Sequence, residues 1–443
     1  MLTELHLHLY GCVRPLDLLR QLASRDRIMW DQYDAEMNAA YGIVPPARQV
    51  VERFRQGDAK AAAEFEELFV FGDDDAGNFD RFQAKFRLLT AGSALNDPDA
   101  GLAEHAAELA GFVAGMRADH VRQGISYAEQ RILLGVDLDT PRNRAVLDTL
   151  LHAYDNDDGG LTERLAISLA RSNPWPGWEL VQEIALGPHG DVLTGIDFCH
   201  IEEGHPPKDA AAIFEAVQGF NAAHPERALA ILYHVGESFR DKSLESAVRW
   251  VQEAAEFGAH RLGHAIALGI DPDVYGVHVR QEPVTERRDQ IGYDLHHCAG
   301  LRAAGVPVDL AALRAELADI AGKPDDTSVT ITYDAARLED VRRRQAYAMS
   351  CVRATGAVVE VCPTSNRRIG GIDDPAHHPV HRFLAAGLPV VVSSDDPGIF
   401  GTTLGDELDW VCTHTGGGAE LRATLIETAW SSRSELLSGR LNQ

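Results

Sequence analysis

Short apolar runs alternate with helix-period stretches about eight times along this chain, and that rhythm limits the fold more than any other feature. The apolar runs are residues 3–9 (TELHLHL), 125–133 (ISYAEQRIL), 164–169, 192–198, 228–235 (ALAILYHV), 261–265, VVEVCP from Val358, and the start of VVVSSDDPGIFGTT at 390–403. Between them lie stretches such as PLDLLRQLASR, AAAIFEAVQGFNAA, LESAVRWVQEAAEFG and RLEDVRRRQAYAMSCVRATG, whose apolar residues recur at helical spacing. Eight strand–helix units point to an α/β fold, a (β/α)8 TIM barrel. We expect one barrel domain over 1–443, with inserted segments at about 28–78 and 272–332 where the rhythm breaks. The first insertion reads as irregular with helical pieces such as AAAEFEELF. It follows the first strand, where it is placed to fold over the barrel mouth and exclude water.

Composition narrows the partners. Hydrophobic residues make up 45% of the 443, enough for a sizeable core. The formal net charge of -26 disfavours nucleic acid and anionic membrane as partners. No apolar run of about 18 residues is present, so no spanning helix is expected. The start, Met-Leu-Thr-Glu, runs directly into the first strand and carries no signal-peptide pattern. The six cysteines form no CxxC pair and read as reduced thiols of a cytoplasmic protein. The sequence does not disclose an oligomeric state.

The chemistry sits at strand ends. His6 and His8 are two apart on a strand, so both imidazoles project to one side and can converge on a metal ion. His234 ends the fifth strand, and Glu237 follows it in a loop, where a carboxylate can serve as general acid or base or simply favour a helix N-terminus. His264 ends the sixth strand and Asp395 the eighth. Asp395 and Asp396 are adjacent carboxylates and repel each other unless a cation or proton donor is close. In a barrel all these strand ends share one rim, the rim where active sites form. Three histidines and a carboxylate suit zinc or another borderline divalent ion. Such an ion lowers the pKa of water from about 15.7 to about 7. The fourth strand has no lysine to bridge two metals, so one ion per chain is expected. Glu129 and Arg131 face one way on the second strand and read as an ion pair. Asp73, Asp74 and Asp75 read as a solvated run, and His377 and His378 as exposed. Thr364, Ser365 and Asn366 read as braces of the mouth.

HLHLYG, HVGES, RLGHA, VCPTSN, HPVHRFLAAG and SSDDPGIFGTT occur in this order, and the chain resembles the adenosine deaminase family of metal-dependent amidohydrolases. The resemblance implies a zinc-containing barrel that hydrolyses the exocyclic amine of a purine or related aminated heterocycle and releases ammonia. It implies His6, His8, His234 and Asp395 as metal ligands. It implies that Glu237 protonates the ring nitrogen beside the reacting carbon, that His264 orients and helps deprotonate the attacking water, and that Asp396 hydrogen-bonds the imidazole side of the purine. Tyr10 stands where the family has an Asp that reaches the ribose. His200, in GIDFCHIEEG, stands where it has a Gly whose backbone meets the purine. Adenosine is the family's commonest substrate; the two departures open the alternative of a purine-like or pterin-like amine with a different tail. Two other readings stay open: an amidohydrolase that opens a cyclic amide or ester, and a barrel kept as a non-catalytic binding module.

Overall fold

The computed structural model describes residues 1–97, 99–135, 140–155 and 160–440. Ten strands run in chain order: β1 (Leu2–His8), β2 (Ile125–Ile132), β3 (Thr162–Ser168), β4 (Leu193–Asp197), β5 (Ala230–Val235), β6 (Arg261–His264), β7 (His278–Pro283), β8 (Ser328–Tyr333), β9 (Val358–Val361) and β10 (Val390–Val392). Eight of them make one sheet in the order β1-β2-β3-β4-β5-β6-β9-β10. Every neighbouring pair in it is parallel. The sheet closes where Asp395 bridges Leu7: His8 N–H donates to the Asp395 carbonyl at 3.1 Å and Asp395 N–H to the His6 carbonyl at 3.0 Å. The eightfold rhythm therefore becomes a barrel, with helices on its outer face.

The outward side chains of the strands, among them Leu7, Leu165, Ile167, Ile196, Val235 and Val359, join the helix residues Val113, Val217, Trp250 and Val251 in the main core. The inside of the barrel is charged. Arg131, Arg261, Glu129 and Glu360 are fully buried there. Glu129 and Arg131 do not pair with each other, as the sequence suggested. Arg131 pairs with Glu360 at 2.5 Å, and Glu129 pairs with Arg261 at 2.5 Å. Residues two apart point the same way but stand at different heights in the barrel, so each finds its partner on a strand across it.

The first insertion is regular, not irregular. It forms the helices Trp30–Tyr41, Ala47–Arg55 and Ala61–Phe69. They bury Tyr33, Val50, Phe65 and Phe69 in a separate core that also takes in Phe71, Phe82, Ile399 and Phe400. Phe71 meets Phe400 edge-on at 6.3 Å, so this segment packs on the turn that follows Asp395-Asp396. Asp73 and Asp74 are exposed, whereas Asp75 is buried and pairs with Lys85 at 2.8 Å. In the second insertion, β7 and β8 form an antiparallel pair. Helices Val284–His296, Cys298–Ala303 and Leu310–Ile320 lie between them in sequence. Among the described residues no helix is long and apolar enough to cross a membrane.

Candidate active site

The strand ends bring the proposed ligands into one cluster. His6 and His8 project from β1, His234 from β5, and Asp395 lies three residues beyond β10. Ring centroids are 4.7 Å apart for His6–His234 and 5.2 Å for His8–His234. His8 Nε2 lies 3.3 Å from His234 Nε2 and 3.1 Å from Asp395 Oδ1, and His6 Nε2 lies 3.5 Å from the same oxygen. His6, His8 and Asp395 form one group able to hold a cation, with donor atoms within 4.8 Å of one another; His6, His234 and His264 form another, and His264, Cys362 and Asp395 a third.

Two of these imidazoles are fixed from behind. His6 Nδ1 meets Glu360 at 2.9 Å, and His234 Nδ1 meets Asp197 at 3.0 Å. A carboxylate at Nδ1 accepts a hydrogen bond from the ring N–H there and leaves Nε2 as a lone pair facing the centre. Burial, and then Arg131 3.3 Å from His6 Nε2, hold His6 well below the usual imidazole range; burial also lowers His234. Neutral imidazoles are what a metal requires. Asp395 Oδ1 is buried and makes no well-formed hydrogen bond. Burial works against charge on both His8 and Asp395, yet their mutual contact holds His8 well above its usual range and Asp395 well below. The spot asks for a cation. The residues thus fit a divalent ion with nitrogen and oxygen ligands.

Glu237, His264 and Asp396 surround the cluster. His264 Nε2 is 3.6 Å from Glu237 Oε1 and 4.0 Å from Asp395 Oδ2. Burial, followed by the charge of Asp395, holds the Glu237 carboxyl well above the usual range. The same two causes raise Asp396 to about 8. Asp396 Oδ1 is buried without a partner. Gly11 makes room for it, because a Cβ there would lie 1.6 Å from Asp396 Oδ1. Among the described residues the non-glycine positive-φ positions are His264 (φ 64), Ala265 (φ 48) and Asp395 (φ 61). Left-handed backbone costs about 1–3 kcal/mol per residue and persists where the surroundings impose it. Here it turns two functional side chains into the mouth.

The cluster forms the floor of a cavity of about 1060 Å³. Tyr10 and His200 both line it. Tyr10 is half-buried and meets Phe112 edge-on at 6.5 Å. His200 is exposed, and its carbonyl accepts a hydrogen bond from Arg171 at 3.0 Å.

Sequence reasoning missed the supports. Glu360 and Asp197 were not identified, although a charged residue inside an apolar strand such as VVEV is itself a signal. Asn366, read as a general brace, has a specific contact. Its Oδ1 accepts from Cys362 N–H at 3.2 Å, which turns its amide nitrogen to His264 Nδ1 at 2.8 Å. His264 therefore accepts at Nδ1 and carries its proton at Nε2, facing the cluster. Burial lowers this imidazole to about 3, so it is neutral at physiological pH.

A parallel eight-stranded barrel with a histidine–carboxylate cluster on the rim has the layout of a TIM-barrel active site. Comparison with known proteins narrows this. The family model for adenosine deaminase matches residues 332–432. The aminodeoxyfutalosine deaminase of Acidothermus cellulolyticus is 41% identical over 93 residues, 19% of this chain and 26% of the relative. The adenine deaminase of Rhizobium johnstonii is 43% identical over 79 residues, 17% and 24% of the two chains. The chain thus spans about a quarter of the length of these curated relatives. An adenine deaminase structure from Arthrobacter aurescens shares the fold with a TM-score of 0.52 and 19% identity, over 100% of this chain and 98% of that one. Over these stretches the chain is similar to adenosine deaminase-family proteins.

Proposed function

We propose that this protein is a hydrolytic deaminase that removes the exocyclic amine of a purine or related aminated heterocycle as ammonia. The observation that carries the reading is the meeting of His6, His8, His234 and Asp395 beside a carboxyl, Glu237, that burial keeps protonated. In this reading His6, His8, His234 and Asp395 hold one zinc or similar ion. That ion supplies Lewis-acid character and makes water a better nucleophile at neutral pH.

The chain's own groups do the rest. Glu237 delivers its proton to the ring nitrogen next to the reacting carbon, which drains electrons from that carbon. Asp396, neutral below about pH 8, offers its unpartnered carboxyl to a second ring nitrogen. His264 points an N–H at the cluster and orients the attacking water; in this tautomer it donates and does not take the proton. Tyr10 and His200 bound the region beyond the heterocycle. The six cysteines are free thiols, in keeping with a cytoplasmic enzyme.

The test is ammonia release by the zinc-loaded protein across aminopurine bases, nucleosides and nucleotides. We expect turnover with at least one of them, and a loss of about 10²–10⁴ in rate for Glu237→Gln with metal content retained. Ring opening without ammonia would shift the assignment to a cyclic amide or ester hydrolase. Full activity in Glu237→Gln would reject its role.

A further inference from the structure

The cavity of about 1060 Å³ lies at the top of the usual range for small-molecule sites, about 300–1,000 Å³. The heterocycle is served at its floor, so the outer part must serve something else. Phe79, Phe82, Phe239 and Tyr275 also line the cavity, and Arg240 and Arg280 share the lining with them.

Arg280 is a residue of β7, in the second insertion. It is half-buried, its guanidinium lies 5.2 Å from the centre of the Phe239 ring, and it donates to the Phe239 carbonyl. Among the described residues it has no carboxylate within ion-pair reach. Its neighbours in this region behave otherwise: Arg287 pairs with Glu316 at 2.6 Å, Arg337 with Glu245 at 2.7 Å, Arg342 with Asp271 at 2.7 Å and Arg344 with Asp294 at 2.5 Å. Arg171 lines the same cavity and also lacks an ion pair, but its guanidinium is held by the carbonyls of Phe198, His200 and His234, whereas Arg280 has, among the described residues, only the Phe239 carbonyl. Arg240 follows Phe239 directly and lies 5.6 Å over the ring of Phe79. Its nearest carboxylate, Glu203, is 3.4 Å away and already accepts from the Ser238 hydroxyl.

We propose that the substrate is an aminated purine with an anionic tail, a phosphate or a carboxylate, and that Arg280, with Arg240 beside it, holds that tail at the cavity mouth. A guanidinium seated on an aromatic ring presents a rigid fork of donors, the arrangement that suits either anion. The strongly negative surface would otherwise repel such a substrate. The second insertion then acts as the specificity element of the barrel. This rests on the deaminase reading but has its own test.

The zinc-loaded full chain is assayed with adenosine, its 5′-monophosphate and its 5′-carboxylate, and the corresponding inosine compounds are titrated by calorimetry. We expect one anionic substrate to exceed adenosine in kcat/KM by about tenfold or more, and Arg280→Gln to reduce that ratio by about 10–100-fold. Which anion gains identifies the tail. Arg240→Gln removes an exposed side chain without touching the core and should reduce the ratio in the same direction. Arg314→Gln, at an exposed arginine of the same insertion, is the control. Adenosine matching or exceeding both anionic substrates, or a ratio unmoved in Arg280→Gln, overturns the inference while leaving the deaminase reading intact. If no substrate releases ammonia, that reading fails; the calorimetry then decides the inference, and equal affinity for inosine and its anionic forms overturns it.

Discussion

At the scale of single residues, the site depends on which nitrogen of each imidazole carries a proton. Glu360 and Asp197 fix the proton of His6 and His234 at Nδ1, away from the cluster. Asn366 does the opposite to His264. Identical side chains are thus divided into acceptors and a donor by what stands behind them. Asn366→Ala should lower kcat by about 10–100-fold with a smaller change in KM, as supports behind functional groups commonly do. Asn366→Asp should accept from His264 Nδ1–H instead, turn Nε2 into an acceptor and alter the pH profile of kcat; a profile identical to wild type in both variants would reject the assignment. The residues that cluster at the mouth could be picked out as candidates because they are rare residue types at strand ends, as in HLHLYG, HVGES and SSDDPGIFGTT. Glu360, Asp197 and the contact of Asn366 were not, because a support shows itself only through the residue it touches. That contact spans 102 positions for Asn366 and His264.

At the scale of elements, the eight barrel strands were readable to within about two residues, since each apolar run is bounded by turns or charges, whereas β7 and β8, inside the second insertion, were not read as strands. The segment at 28–78 was misjudged because its helices are short, 12, 9 and 9 residues, and bury their apolar faces on one another and on Phe82 and Phe400. His378 was misjudged for a related reason. A His-His-Pro sequence reads as an exposed loop, yet His378 is 1% exposed and packs against Trp410 at 5.0 Å. Burial lowers its pKa from 6.5 to about 3. The unfolded state therefore takes up a proton below about pH 6.5 that the folded state refuses, and stability must fall as pH drops from there toward 3. Chemical denaturation of His378→Phe should show a flatter stability profile over that window than wild type. An unchanged slope would mean that His378 is charged or exposed.

At the scale of the whole molecule, the barrel has a charged interior beneath its proposed metal site. Arg131 contacts Glu360, which also contacts His6 and Arg261, and Arg261 in turn holds Glu129. Removing one member leaves a buried charge without its partner, at a cost of about 3–5 kcal/mol. Arg131→Met should therefore both destabilise the fold and disturb His6. A bound cation should stabilise the folded protein as any native-state ligand does, by about 2.7 kcal/mol at a hundredfold excess over its Kd. Chelator should lower Tm and added zinc should restore it; a Tm indifferent to both would reject the cluster as a metal site. The joint between Leu7 and Asp395 has a temporal side as well. The first strand exposes one free edge until the ribosome has delivered position 395, so the cluster at the barrel mouth gains its carboxylate, and the barrel its closure, only late in synthesis.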